Sequence, residues 1–325
     1  MKLQKLLIIG TLPEASGIGG VTIHIKRLLD YLDSKDYNYD FIDYRRSKII
    51  NVIKEVIKHR YVHVNLTNIY LLLTIVLLGK LSKTKVIVTK HGNFSNSNYL
   101  KKNLFKIYIK LCSVSIVLNN QSFEFSKKYN KRSILISAFI PPVKEEELPN
   151  KIKSSLLSFV RNNNIIFATN ASSYAIDDKG NEIYGIKCLI QIFENNRNWA
   201  LVISDPKAEY RTFFIDNNIY IPENILIITE RHSFYEVLKL SDGMIRNTST
   251  DGDSLSIKEA LFLHKRVFCS KVVSRPKDCV LFKYNESKDI ELKISEFLEL
   301  DFQPSETIIN GAEDLLNLYK HLDVL

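Results

Sequence analysis

Short apolar runs alternate with longer segments of helical periodicity along most of the chain. Apolar runs of about four to eight residues are typical of buried strands, and apolar residues spaced three or four apart are typical of helices that cover a sheet. The pattern therefore predicts a parallel α/β architecture. In the first half of the chain, it predicts strands at 5–10, 39–44, 61–65, 85–90, 113–118 and 133–137.

The segment "SAFIPPVKEEELPN" at 137–150 interrupts this alternation. Its prolines and its run of glutamates suit neither a helix nor a central strand. We predict a domain boundary there, with an N-terminal domain at 1–145, a C-terminal domain at 146–325, and a last helix that can pack back on the N-terminal domain. The second half predicts strands at 164–169, 199–204, 225–229, 243–247, 266–270 and 279–284, followed by helices at 287–299 and 310–322.

Two such domains in tandem predict a cleft between them. Open α/β sheets bind ligands at the carboxyl ends of their strands, so we expect the chemistry just after each strand. The sequence contains no short-period internal repeat of the kind that would indicate a solenoid.

The composition narrows the range of partners. The 325 residues carry a formal net charge of +9, which attracts nucleic acid, an acidic membrane surface or a phosphorylated substrate. Aromatic residues do not interleave with the lysine clusters as a base-stacking platform requires, and we therefore expect no nucleic acid partner.

Cysteine spacing and apolar run lengths indicate a cytoplasmic chain. The four cysteines form no CxxC pair and accompany no paired histidines, so neither a zinc site nor a disulfide framework is predicted. The N-terminal apolar run is shorter than the core of a signal peptide and reads as a first strand. The run at 69–79 is about half of a bilayer span and predicts a buried crossover helix. Lys80, Lys83 and Lys85 leave an interfacial contact with anionic headgroups open.

The first candidate site follows the first strand, in "GTLPEASGIGGVTIHIKRLLDYL". Gly17, Gly19 and Gly20 let a backbone approach a ligand, and the helix that starts near Val21 offers N–H groups to an anion. The spacing is not that of a dinucleotide fingerprint, and plain turn glycines are the alternative. His24, one turn into the helix, suits either packing or substrate contact.

The second candidate is His91, which precedes Gly92 at the end of the strand "VIVTK". A lone histidine is often structural, but one just past a strand end is well placed to touch substrate.

The third candidate is "TSTDGDSLSIKEALFL", after the strand "GMIRN". Gly252 permits the turn, and Asp253 or Ser254 can cap a helix whose N–H groups bind an anion. Glu259 lies one to two turns into that helix near its buried face, where a ribose diol would satisfy it. The alternative is that Asp251 and Asp253 are ordinary caps and that Glu259 forms a solvent-side pair with Lys258 or Arg266.

The stretch "DGDSLSIKEAL" resembles the E-G-F-G-L-x-x-x-E-A motif of family 4 retaining glycosyltransferases of GT-B fold, in register from Asp251 to Ala260. "GIGGVTIHIKRLLDYL" resembles their amino-terminal Gly-Gly loop and helix, and "TKHG" resembles an acceptor-side strand end. "SAFIPP" falls where their interdomain linker belongs. "IYGIKCLIQIF" resembles the first helix of their nucleotide domain. These matches occur in order from about residue 5 to about residue 275.

The resemblance implies a GT-B architecture of two Rossmann-like parallel-sheet domains that face an interdomain cleft. The N-terminal domain would bind the acceptor, and the C-terminal domain would bind a nucleotide-sugar whose sugar is transferred with retention, without a metal or another cofactor. It assigns Asp251, His91 and Glu259 to catalysis, with Glu259 holding the donor ribose. It assigns the backbone of Gly252, Asp253, Ser254 and Leu255 to the phosphate or sugar, and Gly19, Gly20 and His24 to the diphosphate or acceptor loop.

Two positions depart from the family pattern. Tyr184 replaces the usual lysine before Gly185 in the first helix of the nucleotide domain, so a phosphate cation is missing there; both residues remain expected donor contacts. Lys179, Arg246, Lys258 or Arg275 could replace that cation. Asp251 replaces a glutamate and is shorter by one methylene.

Three hypotheses follow. The first is a hexosyltransferase that builds a surface polysaccharide, such as a capsule or lipopolysaccharide, on a lipid-linked acceptor, with the protein against the inner face of the cytoplasmic membrane. The second is a nucleotide-sugar epimerase or a soluble sugar synthase of the same fold. The third is a catalytically silent GT-B module within a polysaccharide assembly complex.

Overall fold

The computed structural model describes residues 2–13, 19–91, 99–146, 148–251, 253–298, 300 and 308–322. The chain divides into two compact units. Unit 1 combines Met1–Lys144 with Ile309–Leu325, and unit 2 is Glu145–Ile308.

Unit 1 is built on a six-stranded parallel sheet in the order β2-β1-β3-β4-β5-β6. Its elements are β1 (Leu3–Gly10), α1 (Gly20–Ser34), β2 (Tyr39–Asp43), α2 (Ile49–Lys58), β3 (His59–Val64), α3 (Ile69–Ser82), β4 (Lys85–Lys90), α4 (Tyr99–Leu111), β5 (Val114–Val117), α5 (Asn120–Lys127), β6 (Ser133–Leu135) and, from the end of the chain, α12 (Gly311–His321).

Unit 2 has a second six-stranded parallel sheet, in the order β12-β11-β10-β7-β8-β9. Its elements are α6 (Asn150–Arg161), β7 (Ile165–Asn170), α7 (Ile186–Asn195), β8 (Trp199–Ser204), α8 (Glu209–Asp216), β9 (Ile225–Ile228), α9 (Phe234–Lys239), β10 (Gly243–Arg246), α10 (Leu255–Phe262), β11 (Arg266–Ser270), β12 (Cys279–Phe282) and α11 (Ser287–Leu298).

The predicted fold class is confirmed. Each of the predicted strands is present, with its ends within two residues of the expected positions. These strands are covered by helices, so they are apolar along most of their length and stand out in the sequence. The cleft between the domains stays a prediction.

The last helix, α12, packs on unit 1. Its Ala312, Leu315, Leu316, Leu318 and Tyr319 belong to the same core cluster as residues of β1 and α1. The backbone N–H of Gly311 donates to the carbonyl of Phe139 at 2.8 Å. A Cβ atom at Gly311 would lie 2.0 Å from the carbonyl oxygen of Ser137, so only glycine fits at this contact.

Helix α3 links β3 to β4 as predicted, but it is buried on one side only. Ile69, Leu72, Ile75, Val76 and Gly79 face the core. Tyr70, Leu77 and Leu81 point to solvent, and Leu81 is 84% exposed. The prediction of a buried crossover helix is therefore wrong for one side, which the periodicity conceals because both sides are apolar. Within the described residues, no helix combines the length and apolar character needed to cross a bilayer.

Candidate active site

Three neighbouring strands of unit 2 end in polar residues at one edge of the sheet. β11, β10 and β7 are adjacent, and their last residues are Ser270, Arg246 and Asn170. The guanidinium of Arg246 donates to the backbone carbonyl of Asn170 at 3.2 Å and to its Oδ1 at 3.1 Å. The strand ends therefore gather at the carboxyl edge, where the sequence predicts chemistry.

Asp251 is held between two arginines at this edge. Arg246 donates to its carboxylate from Nε at 3.2 Å and from Nη2 at 3.3 Å, and Arg275 donates from Nη1 at 2.8 Å. The Asp251 side chain is 8% exposed and that of Arg275 is 2% exposed. Burial raises the pKa of Asp251, but the charges and hydrogen bonds of Arg246 and Arg275 outweigh burial, and the pKa is lowered. Asp251 is therefore an ionised carboxylate that pairs with both arginines and leaves the cluster with a net positive charge.

Tyr184 lies directly beside this cluster. The Arg246 guanidinium is 5.2 Å from the centre of the Tyr184 ring, within the range of a cation–π contact. The Tyr184 hydroxyl and the Ser172 hydroxyl are hydrogen bonded at 2.6 Å. Of the predicted replacements for the missing lysine, Arg246 is thus the cation that contacts Tyr184.

Within the part of the chain that the structure describes, the N-terminus of α10 has no side-chain cap from its N-cap residue. Ser254 occupies the N-cap position, but its side chain makes no capping hydrogen bond with the described residues. Its hydroxyl instead contacts the hydroxyl of Ser256 at 3.1 Å. Asp253 is ion paired with Lys258. The prediction that Asp253 or Ser254 caps this helix through its side chain is therefore wrong. The predicted contact Gly252 lies outside the described residues.

Glu259 lies in the core beneath this helix start. The residue is 4% exposed, and its neighbours Ile257, Ala260 and Leu261 belong to the core cluster under α10. The expectation that Glu259 sits near the buried face of α10 is confirmed, and the alternative of a solvent-side pair is wrong. Its contact with a ribose stays a prediction.

Gly185, a predicted donor contact, is explained by packing. It begins α7 with a φ of +53°, a conformation that favours glycine. A Cβ atom there would lie 2.3 Å from Nδ2 of Asn247, and that Nδ2 donates to the Gly185 carbonyl at 3.0 Å. The first N–H of α7, that of Ile186, already donates to Oε1 of Glu182 at 2.6 Å. The start of α7 is thus occupied by the carboxylate of Glu182, in the position where a helix N-terminus could otherwise bind the anion of a ligand.

In unit 1, Gly19 and Gly20 form the start of α1. Gly19 is the N-cap, and its N–H donates to the Thr22 hydroxyl at 3.1 Å. A Cβ atom at Gly19 would meet nothing within 4 Å among the described residues. Packing therefore does not require this glycine, which leaves room for its predicted role near a ligand. Gly17 and Gly92 lie outside the described residues.

The predicted histidines His24 and His91 contact each other. Their ring centres are 5.3 Å apart in an edge-to-face arrangement. His24 is 2% exposed, and its Nδ1 donates to the carbonyl of Ala138 at 2.8 Å. His91 Nε2 is 3.2 Å from Oδ1 of Asn65. Burial, followed by the charge of His24, lowers the pKa of His91 well below its ordinary value. His91 is therefore a neutral imidazole whose single N–H donates to Asn65, so its Nδ1 can accept a hydrogen bond from a sugar hydroxyl.

A third histidine, His63 on β3, belongs to the same region and is absent from the sequence prediction. It is fully buried, with Nδ1 2.5 Å from the Tyr319 hydroxyl and Nε2 2.7 Å from the Thr89 hydroxyl. Burial, followed by the charge of His24, lowers its pKa to about 3. Its position inside the strand "YVHV" gave no signal, because its partners lie on other elements.

Two polar residues at the end of β8, Ser204 and Asp205, are absent from the sequence prediction. The Ser204 hydroxyl is 2.8 Å from Nε2 of His232, and Asp205 is fully buried. Burial raises the pKa of Asp205, and backbone hydrogen bonds, among them one from Arg211 at 2.9 Å, partly oppose it. Ser204 and Asp205 could have been predicted from the sequence, because ligands of open α/β sheets bind at the carboxyl ends of the strands. Among the described residues, no cluster of three His, Cys, Asp or Glu side chains could hold a metal ion.

No family model and no curated protein sequence matches the chain. Among solved structures, it is similar to Anabaena HepE in complex with UDP and glucose, with a TM-score of 0.70 and 12% identity over 99% of this chain and 100% of that one. It is similar to a glycosyltransferase from Rickettsia africae, with a TM-score of 0.63 and 14% identity over 98% of this chain and 93% of that one. It is also similar to a UDP-GlcNAc 2-epimerase from Neisseria meningitidis bound to UDP-GlcNAc, with a TM-score of 0.57 and 14% identity over 98% of this chain and 100% of that one. These likenesses show the fold, which is GT-B.

Proposed function

We propose that the protein is a retaining glycosyltransferase that moves a sugar from a nucleotide-sugar to a lipid-linked saccharide. One observation carries the proposal: Glu259 is buried one turn behind the uncapped start of α10. A ribose diol and a phosphate, joined as in a nucleotide, suit a carboxylate and helix N–H groups at that spacing.

The arginines beside α10 suit the departing diphosphate. Negative charge grows on the leaving group in the transition state, and preorganised donors at that place lower the barrier. Arg246 and Arg275 are held in place by Asp251, so their guanidinium groups need little reorganisation. We assign Asp251 to orienting these arginines and the transferred sugar. No metal is needed in this scheme.

UDP is the nucleotide we propose for the donor. HepE is described in complex with UDP and glucose, and the N. meningitidis epimerase is bound to UDP-GlcNAc. The chain extends over nearly the full length of both proteins. We propose a lipid-linked saccharide of a cell-surface polysaccharide as the acceptor, as the resemblance to family 4 glycosyltransferases implies, and we propose that the protein works at the inner face of the cytoplasmic membrane.

The similarity to the epimerase favours a second candidate, a nucleotide-sugar epimerase. An epimerase converts its substrate without an acceptor, whereas a transferase releases UDP only when an acceptor is present. Incubation of the protein with UDP-GlcNAc alone, followed by separation of the sugar nucleotides, distinguishes the two reactions.

The first test is a thermal-shift panel of UDP, GDP, ADP, CMP and dTDP with the wild type and Glu259→Gln. We expect UDP to stabilise the wild type, since a ligand at about 100 times its dissociation constant adds about 2.7 kcal/mol. Glu259→Gln should weaken UDP binding by about 1 to 3 kcal/mol, because a charged hydrogen-bond acceptor is lost.

Glu296→Gln on α11 is the matched control, since Glu296 forms a surface pair with Lys293 and should leave the UDP shift unchanged. An equal UDP shift in the wild type and in Glu259→Gln would contradict the assignment of Glu259. No shift with any nucleotide would favour the catalytically silent module.

A further inference from the structure

A cavity of about 620 Å³ lies at the opposite edge of the unit 1 sheet. Its lining includes Lys85, the first residue of β4, Ser113, which directly precedes β5, and Arg132, which directly precedes β6. The cavity therefore lies at the amino ends of these strands, away from the carboxyl ends where the candidate active site is expected.

The lining of this cavity is strongly basic. Six cations contribute to it, and its described lining contains no aspartate or glutamate: Lys80, Lys83, Lys85, Lys110, Lys131 and Arg132. Like charges gathered around one space repel each other unless an anion joins them. The site therefore suits a phosphate-bearing group.

The stretch of chain that supplies the cavity lining is also the most basic part of the sequence. Residues 45–132 contain 18 of the 45 lysines and arginines but only 2 of the 36 acidic residues, a net charge of +16. The rest of the chain is consequently net negative by 7. An anionic surface thus attracts this segment and repels the remainder, which orients the protein.

Apolar side chains stand beside the cavity. Leu77 and Leu81, one turn apart on α3, are 44% and 84% exposed, and they flank the cavity residue Lys80. Ile107 on the adjacent helix α4 is 45% exposed, one turn before the cavity residue Lys110. Exposed leucines next to lysines are the combination that binds the interface of an anionic bilayer.

We propose that unit 1 docks on an anionic membrane through this cavity, with its cations on phospholipid phosphates and with Leu77 and Leu81 in the apolar layer. The proposal goes beyond the proposed function, because this surface lies at the other end of the strands from the candidate active site and does not itself bind the acceptor. Its test needs neither donor nor acceptor, so its failure leaves the nucleotide experiment untouched.

The test is flotation of the full chain with vesicles of phosphatidylcholine, with and without phosphatidylglycerol. We expect binding only to the vesicles that contain phosphatidylglycerol. Lys80→Gln/Lys83→Gln should lower the partition coefficient about 30-fold, since each lysine near such a surface contributes to binding. Leu81→Ser should lower it about tenfold through the loss of apolar burial.

Matched controls come from unit 2: Lys153→Gln/Lys288→Gln removes two exposed lysines, and Leu292→Ser removes a leucine that is 53% exposed. Both controls should bind like the wild type, and thermal denaturation checks that every variant is folded. Full binding by the cavity variants would overturn the proposal. Binding that inorganic phosphate abolishes and Leu81→Ser leaves unchanged would also overturn it, in favour of a soluble phosphate compound.

Discussion

At the residue scale, Asp251 and Asp253 show how burial sets the importance of an ion pair. Asp251 is 8% exposed and receives hydrogen bonds from two buried arginines. Asp253 is 17% exposed and pairs with the single cation Lys258. Loss of a carboxylate leaves an uncompensated charge in the first case and a partly hydrated lysine in the second.

We therefore predict different stabilities for two similar variants. Asp251→Asn should lower the free energy of unfolding by about 3 kcal/mol, as expected when one partner of a buried pair is removed. Asp253→Asn should lower it by no more than about 1 kcal/mol. Urea denaturation of both variants measures the difference, and equal losses would contradict the structural role of Asp251. Turnover of Asp251→Asn must therefore be measured where the variant remains folded.

His63 shows what a buried histidine does to the pH dependence of stability. Its pKa in the folded chain is about 3, because of burial and the charge of His24. The unfolded chain binds a proton at about pH 6.5, the ordinary value. The unfolded state thus binds more protons below that pH, and the free energy of unfolding falls as the pH is lowered. His91, with its lowered pKa, acts in the same direction.

We predict that stability declines between pH 6.5 and 5, before most carboxylates titrate. His63→Gln should reduce the slope by about 1 kcal/mol per pH unit, since one titrating group is removed. Urea denaturation at several pH values gives the slope. His321→Gln, which replaces an exposed histidine on α12, is the control and should keep the wild-type slope. An unchanged slope in His63→Gln would show that His63 has the same pKa in the folded and unfolded chain.

At the element scale, the strands and helix starts could be predicted because they depend on the residues within and next to each element. The strand β4 ends at Lys90 and α10 starts at Leu255, as the apolar runs and the turn residues indicate. The contacts of these elements could not be predicted. Arg275 reaches Asp251 from 24 positions along the chain, and only the folded sheet brings their loops together. Neighbouring strands, not sequence spacing, determine such pairs.

The start of α12 gives an element-scale prediction. Gly311→Ala should lower the free energy of unfolding by about 2 kcal/mol, because its methyl group would displace the helix from the Ser137 carbonyl. Gly19→Ala is the matched control at another helix start, where a Cβ atom meets nothing among the described residues, and it should change stability by less than about 0.5 kcal/mol. Thermal or urea denaturation compares them, and a neutral Gly311→Ala would mean that α12 can shift freely.

At the scale of the whole molecule, the fold depends on the pattern of buried positions more than on residue identity. HepE shares the architecture over its full length at 12% identity. This explains why the fold class could be predicted from alternating apolar runs. The place of α12 could not be settled in the same way, because its apolar face at 310–322 would suit either sheet.

The return of α12 to unit 1 sets the order in which the protein can be completed on the ribosome. Residues 2–144 emerge first, but a face of β1 and α1 is covered by α12, which is synthesised only after unit 2. At about 5 to 20 residues per second, roughly 10 to 30 s pass between Lys144 and Gly311. Unit 2 is continuous and can finish its sheet within that interval. Unit 1 therefore begins to form before unit 2 but is completed after it, and its uncovered apolar face needs protection during translation.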